Sequence, residues 1–239
     1  MNILVIDTAT SVEITAASNG SLVSDQTRTV TESHSVTLFD SIDLALKGAG
    51  LVVKDLDLIA AGIGPGSFTG IRIAVTTARM FAQLFGLPLA GIKTHLMYAV
   101  SAGGSLNAGE NILIAFDAKK SRVFGALYAK SGNELEPVEI IQPGDYHIEY
   151  LLKHINTKEK TVLIGDGCEK YYSEIKSGIQ NQELLADYKP SGKMICRLVE
   201  KIYSGNPDNN DLNKVLPFYA RKTDAEIVKE SSKSREGIL

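Results

Sequence analysis

Short apolar runs that end in an acidic residue or in glycine mark the strands of this chain. Residues 2–8 read NILVIDT and residues 111–118 read NILIAFDA, and each run is followed by a polar turn and two more strand-like stretches. A second parallel joins residues 58–64 (LIAAGIG) to residues 162–167 (VLIGDG), since both are apolar runs that lead through glycine into a helix. The pattern predicts two copies of a β-β-β-α-β-α unit.

Such a duplication predicts an α/β fold of two similar lobes with a cleft between them. We expect a first lobe over residues 1–106, a second over residues 107–212, and a C-terminal segment over residues 213–239 that either returns to the first lobe or is mobile. Ligands of α/β proteins favour the carboxyl ends of the strands. The residues at those ends are Asp7, Gly64, Asp117 and Gly165.

The densest local pattern is a glycine-rich loop at residues 62–72, GIGPGSFTGIR. Glycine permits close backbone approach, and Ser67 or Thr69 can cap the helix that follows. The loop lacks the Gly-Lys-Ser/Thr of a P-loop, the spacing of a dinucleotide fingerprint and the GxSxG of a nucleophile elbow. A rigid turn with a capped helix is the favoured interpretation, and a phosphate contact stays open. The residues that would face a phosphate or nucleotide are Asp7, Gly64, Gly66, Ser67 and Asp117.

Two helices of the first half carry apolar faces. The spacing predicts one helix over about residues 35–49 and another over about residues 69–85. The second shows an apolar arc wider than one core contact needs, with alanines at positions 74, 78 and 82 that permit close approach of another helix. It is either enclosed within its own core or packed inward while also forming a subunit interface.

Composition narrows the function. The 239 residues carry a formal net charge of -3 and an isoelectric point near 5.9, which disfavours a protein that binds nucleic acid by itself. Cys168 and Cys196 lack metal-type spacing, and we expect both to be reduced and buried. The start reaches Asp7 too soon for a signal peptide, and no apolar run could span a membrane, so we expect a soluble, cytoplasmic protein.

Several motifs together resemble one known family. GPGSFTGIRI (64–73) before an alanine-rich helix is similar to the signature of the TsaB family, and ILVIDTAT (3–10) resembles that family's opening. Residues 32–35 (ESHS), 117–120 (DAKK) and 216–221 (LPFYAR) resemble three further family segments. Lys119 and Ala220 depart from the commoner residues there.

The resemblance implies the actin/hexokinase/Hsp70-like fold, a duplicated ribonuclease H-like architecture. It implies a non-catalytic subunit that works with TsaD, which carries the metal and the catalytic site, and with TsaE, an ATPase. TsaD transfers threonylcarbamoyl from its adenylate to the adenosine beside the anticodon, in tRNAs reading codons that begin with A. It implies tRNA contact only through the complex, and a homodimer when TsaD is absent.

The resemblance also implies that the two first-lobe helices form the partner interface. On this basis we expect Ala78→Arg to weaken partner binding without unfolding the lobe. The interface residues expected from the resemblance are His34, Leu38, Ile42, Ile71, Val75, Ala78 and Ala82.

Other functions on the same fold are less well supported. A small-molecule kinase would need a glycine in its phosphate turns, and neither residues 7–11 nor residues 117–121 contain one. Asp7 and Asp117 suit Mg²⁺ but serve equally well as strand-end turn residues. A metallopeptidase is disfavoured, because no two of the four histidines have the HxxxH spacing of TsaD-type relatives. We therefore expect no metal and no cofactor, with weak nucleotide binding left open.

Overall fold

A computed structural model describes residues 1–31, 33–132, 134–205 and 214–221. The expectation that the C-terminal segment returns to the first lobe or is mobile lies, beyond Arg221, outside these residues, as does Glu32 of the ESHS segment. No helix in the described ranges is long and apolar enough to cross a membrane.

The first half forms a mixed sheet in the order β3-β2-β1-β5-β6, with β4 paired to β2. β1, β5 and β6 run parallel, whereas β2 is antiparallel to β1 and to β3. Its strands are β1 (Ile3–Asp7), β2 (Val12–Ser18), β3 (Val23–Asp25), β4 (Arg28–Thr29), β5 (Leu58–Gly62) and β6 (Leu89–Ile92).

The second half repeats this topology in the order β9-β8-β7-β10-β11. Here β7, β10 and β11 run parallel, and β8 is antiparallel to β7 and to β9. Its strands are β7 (Asn111–Asp117), β8 (Val123–Ala129), β9 (Val138–Tyr146), β10 (Thr161–Ile164) and β11 (Gln182–Leu185). The matching order confirms the duplicated fold predicted from the apolar runs.

The helices come at matching places in the two halves. Those of the first half are α1 (His34–Gly48), α2 (Phe68–Phe85) and α3 (Thr94–Gly103), and those of the second are α4 (Ile148–Leu152), α5 (Asp166–Lys170), α6 (Tyr172–Gly178) and α7 (Gly192–Gly205). The predicted unit therefore continues by one strand and one helix in each half, which the apolar runs had not indicated.

Successive side chains along the central strands point to opposite faces of the sheet, and this alternation determines which core layer each residue faces. Ile3 and Val5 of β1 face a core between the two sheets, while Leu4 and Ile6 face an outer core under α1 and α2. β7 alternates in the same way toward the inner core and toward the helices α4–α6. Apolar side chains on both faces of a strand are what a sheet covered on both sides requires.

Two helices cross from one half to the other. α3 packs on β7 and β8 of the second sheet, whereas α7 packs on β1, β2 and β3 of the first. The inner core is therefore one continuous layer that includes Ile112 and Leu198 as well as Ile3. The expected lobe boundaries remain predictions, but this exchange of helices shows that the two sheets share a core.

We predict that Leu198→Ala on α7 lowers the free energy of unfolding by about 2–5 kcal/mol, because Leu198 is fully buried and its loss leaves a cavity. Since α7 lies in the core shared by both sheets, the variant should still unfold in one cooperative transition. Urea denaturation followed by circular dichroism measures both. Leu84→Ala, at a side chain that is 70% exposed, is the control and should change stability little. Two separate transitions would contradict a shared core.

Candidate functional site

The glycine-rich loop is clamped onto the turn that follows β1. The Ser67 amide donates to the carbonyl of Ala9 (2.7 Å), and the Thr8 hydroxyl donates to the carbonyl of Gly70 (2.6 Å). Of the two cap candidates, Ser67 and Thr69, it is Ser67 that caps α2, since its hydroxyl oxygen accepts the Gly70 amide at 3.3 Å. The loop therefore fixes where α2 leaves the first sheet.

Close packing of backbone on backbone explains two of the glycines. A Cβ at Gly70 would overlap the carbonyl of Thr8, and one at Gly66 would overlap the carbonyl of Ala9. These contacts belong to the chain itself and leave no room there for a phosphate. The geometry supports the interpretation of the loop as a rigid turn with a capped helix.

Asp7 and Gly64 do not face the cleft, which corrects the expectation that they would contact a nucleotide. The Asp7 carboxylate is buried, and it accepts the Ala9 amide and the Thr94 hydroxyl, both at 2.6 Å. Burial raises the pKa of Asp7 to about 6, against the lowering effect of these two hydrogen bonds. Gly64 is also buried, with a φ of 96° beside Ile71.

The other three candidates lie together on the wall of one cavity of about 470 Å³. Gly66, Ser67 and Asp117 share this wall with Phe68 and with residues 219–221. Asp117 accepts from Lys119 Nζ (2.9 Å) and from Lys170 Nζ (3.0 Å). Desolvation raises its pKa, but these bonds outweigh desolvation and lower the value to about 2. Asp117 is therefore a carboxylate already neutralised by lysines of its own chain.

A second, smaller cavity of about 90 Å³ lies at the ends of β1 and β10. Thr10 and Ser11 of the β1–β2 turn and Gly165, which follows β10, lie on its wall. Its wall includes the acidic residues Asp166, Glu169 and Asp187. Three carboxylates on so small a cavity disfavour a phosphate group.

Residues 214–221 run beside the glycine loop and join it to the second sheet. The amide of Phe218 donates to the carbonyl of Ile63, which precedes the loop's Gly64. The guanidinium of Arg221 donates to the carboxylate of Asp145 in β9 of the second sheet. The guanidinium of Arg72 lies 3.7 Å from the centre of the Phe68 ring. Only the family resemblance had drawn attention to residues 216–221.

Most of the helix residues expected at a partner interface face the protein core and not the solvent. The side chains at these positions are buried in the outer core of the first sheet, at 3% exposure or less, and His34 is half-buried at the start of α1. The buried residues are Leu38, Ile42, Ile71, Val75, Ala78 and Ala82. Because Ala78 is fully buried, Ala78→Arg would bury a charge, so we now expect this variant to lose the fold of the lobe as well as partner binding.

The opposite faces of α1 and α2 carry the exposed apolar side chains. Between the helices lies a groove of about 460 Å³, whose wall includes Phe39, Phe68 and Ile73. Phe39 also contacts Phe81 edge-to-face, with ring centres 6.3 Å apart. The exposed apolar side chains of this surface, here called the outer helix face, are Val36, Phe39, Leu44, Phe68, Met80, Leu84 and Phe85.

Sequence reasoning missed a buried carboxylate, Glu13. Its side chain is fully buried in β2 and accepts from Thr37 Oγ1 at 2.8 Å and from Ser41 Oγ, with Arg28 and His34 each at 3.4 Å. Burial alone would raise its pKa, but the hydrogen bonds outweigh burial and lower the pKa to about 2. The available signal was an acidic residue inside the otherwise apolar run of β2.

Comparison with known proteins places the chain in a family. The model of the family described as "TsaD: tRNA N6-adenosine threonylcarbamoyltransferase" matches residues 23–227. The chain belongs to this family.

Curated relatives and a solved structure agree with that placement. The chain is 30% identical to the "tRNA threonylcarbamoyladenosine biosynthesis protein TsaB" of Escherichia coli, over 62% of this chain and 65% of the relative. It is 23% identical to the protein of the same name from Bacillus subtilis, over 95% and 96% of the two chains. YeaZ from Pseudomonas aeruginosa has the same fold, with a TM-score of 0.76, 20% identity and coverage of 91% and 99%. These matches confirm the resemblance to TsaB proteins within the TsaD family.

We predict that Asp7 makes this TsaD-family protein less stable as the pH rises from about 4 to about 6. The folded-state pKa of about 6 exceeds the ordinary 3.8, so the folded protein holds this proton more tightly than the unfolded chain. Ionisation then costs about 3 kcal/mol, and the loss is complete above pH 6. Urea denaturation across this range measures it.

Asp7→Asn is the control for that pH dependence, because it keeps the side-chain shape and removes the titration. Relative to the wild type, Asp7→Asn should lack this fall, while His95, whose pKa burial lowers to about 4, contributes an opposite rise over the same window in both proteins. An unchanged slope in Asp7→Asn would show that another group is responsible.

Proposed function

We propose that the chain is a non-catalytic subunit of the machinery that makes threonylcarbamoyladenosine in tRNA. In this proposal it works with TsaD and TsaE, and TsaD transfers the threonylcarbamoyl group from threonylcarbamoyl-AMP to N6 of the adenosine next to the anticodon. The observation that carries the proposal is the outer helix face, an exposed apolar surface on a member of this family. The names of the curated relatives support the pathway.

The outer helix face has the features of a docking surface for a helical partner. Phe39 and Phe68 line the groove between α1 and α2, and the other exposed apolar side chains lie elsewhere on the same two helices. Exposed apolar patches of this kind mark interaction sites. Polar residues rim the patch, including Asp40 and Asp43 on α1 and Arg72 on α2. We propose TsaD as the occupant, and a second copy of this chain when TsaD is absent.

The geometry of the candidate site supports a subunit without chemistry of its own. Asp7 is buried, and Asp117 is neutralised by two lysines. His34 and His95 lie on different helices, and His95 is buried with its Nε2 bound to the carbonyl of Phe124. The arrangement therefore does not reproduce the paired histidines expected of catalytic relatives.

A small-molecule kinase is not favoured. The glycine loop is filled by the backbone of residues 8–9, and the smaller cavity is lined by carboxylates, so neither offers a ready phosphate site. We propose that the protein needs no cofactor. We also propose that tRNA is reached only through the complex, which accords with the net charge of -3.

Reconstitution tests the proposed function. The protein is mixed with TsaD, TsaE, threonylcarbamoyl-AMP and unmodified tRNA, each protein is omitted in turn, and the modified nucleoside is measured by mass spectrometry. We predict that product falls to background without this chain and that the chain alone makes none. Full product in its absence, or product from this chain alone, would refute the subunit role.

A surface variant tests the docking face. We predict that Phe39→Glu weakens TsaD binding at least tenfold, because it places a charge in the apolar groove while its site, 52% exposed, tolerates the change in the free protein. Isothermal titration calorimetry gives the affinity, and thermal unfolding shows that the fold is kept.

Leu22→Glu is the matched control for Phe39→Glu. Leu22 lies in the same half of the chain at 50% exposure, in the β2–β3 turn. That turn contacts α1 at its C-terminal end, through the bond of Asn19 to Ala49, and Leu22 is not part of the groove wall. Its affinity for TsaD should be that of the wild type. Equal weakening by both variants would mean that added negative charge, and not the helix face, causes the loss.

A further inference from the structure

A polar stripe on α1 holds that helix to the first sheet. His34, Thr37 and Ser41 are spaced three and four residues apart, which places them on one face of the helix. All three meet the carboxylate of Glu13, which is fully buried in β2. Burying a carboxylate costs free energy unless donors surround it. The contacts with Glu13 therefore stabilise α1 in the position where His34, Thr37 and Ser41 can reach that carboxylate.

His34 is the member of the stripe that also reaches the β1–β2 turn. Its Nε2 lies 2.8 Å from the carbonyl oxygen of Thr10, and its Nδ1 lies 3.4 Å from Glu13 Oε2. The carbonyl oxygen of Thr10 can only accept a hydrogen bond, and the same is true of Glu13 Oε2 when Glu13 is ionised. A neutral imidazole has one N–H, whereas an imidazolium has two. Only the protonated ring satisfies both contacts at once.

The charges around the ring favour that protonated form. Glu13 faces it from β2 and Asp7 acts on it from β1, while Arg28 of β4 is the opposing cation. Arg28 is 46% exposed and 3.4 Å from Glu13, so it neutralises the buried carboxylate only in part. The hydrogen bond to Glu13 is the main reason that the pKa of His34 lies above its ordinary value, against the effect of burial.

We propose that His34 is a proton-operated latch, which in its imidazolium form ties the first turn of α1 to the β1–β2 turn and loosens that turn when the proton leaves. A raised folded-state pKa means that the stabilisation is complete below the ordinary value of about 6.5 and is lost as the pH rises through the folded value. A pH above the folded-state pKa of His34 therefore releases the latch.

The latch adjoins the outer helix face. Ser35 and Phe39, in the first two turns of α1, lie on the wall of the groove between α1 and α2. Loosening the first turn changes the groove, so docking should weaken as the pH rises. This consequence for docking rests on the proposed function, whereas the latch itself does not.

Nitrogen-15 NMR of the histidine ring tests the latch in the wild-type protein. We expect both ring nitrogens of His34 to be protonated at about pH 6.5, and the ring to titrate above that pH. Glu13→Gln should lower that pKa. A His34 ring that is neutral at about pH 6.5, with a single protonated nitrogen, would overturn the proposal without need of any variant.

Hydrogen exchange measures the protection of the amides of α1, and a histidine with a purely structural role would not make that protection depend on pH. The protection of the amides at residues 36–39, relative to those at residues 44–48, should fall as the pH passes the pKa of His34, by tenfold for each unit by which folding raises that pKa. His34→Gln cannot change its charge, so its ratio should stay constant with pH. An equal fall in His34→Gln would refute the latch.

The affinity for TsaD over the same pH range separates the latch from the docking proposal. A fall in the wild type that is absent in His34→Gln supports both. A latch seen by NMR together with a TsaD affinity that does not change with pH would count against docking at this groove and leave the latch standing.

Discussion

The close contact between the glycine loop and the turn after β1 determines much of this structure. Gly66 and Gly70 let two stretches of backbone meet where any side chain would overlap a carbonyl. Because Ser67 caps α2 at the same point, this contact sets the direction in which α2 leaves the sheet. The buried and exposed faces of α2 follow from it. So does the absence of space for a phosphate beside residues 8 and 9.

The two halves show how a duplicated unit can keep its topology while its strand ends diverge. Asp7 and Asp117 occupy matching positions at the ends of β1 and β7. Asp7 is buried and bonded within the first half, whereas Asp117 is charged and held by two lysines. The exchange of α3 and α7 between the sheets joins the halves into one core, which suits a subunit that presents a fixed surface to a partner.

The sequence predicted the parts of the fold that depend on local pattern. The repeated apolar runs and the glycine endings were enough for the duplicated sheets, and Ser67 was one of the two residues proposed to cap α2. The helix faces were predicted in the wrong direction, because α2 is apolar over so wide an arc that its spacing does not distinguish the core side from the solvent side. Ala78 could be placed only by knowing how the loop aims the helix.

Long-range contacts account for the other gaps. Glu13 is charged and yet buried because Arg28, Thr37 and Ser41 reach it from later elements, and no local pattern contains that information. The packing of residues 214–221 against the glycine loop joins positions about 150 residues apart, as the bond from Arg72 to Tyr219 shows. Such contacts follow from the finished fold and not from periodicity.

Hydroxyl-radical footprinting of the protein with and without TsaD would test most directly whether the outer helix face is the docking surface. Phe39, Met80 and Phe85 are exposed and carry oxidisable side chains, and Tyr150 on the second half is a comparably exposed reference. If TsaD docks on the outer helix face, its binding should protect the first three side chains from oxidation and leave Tyr150 unchanged. Protection at Tyr219 or Tyr150, with Phe39 and Met80 still oxidised, would contradict it.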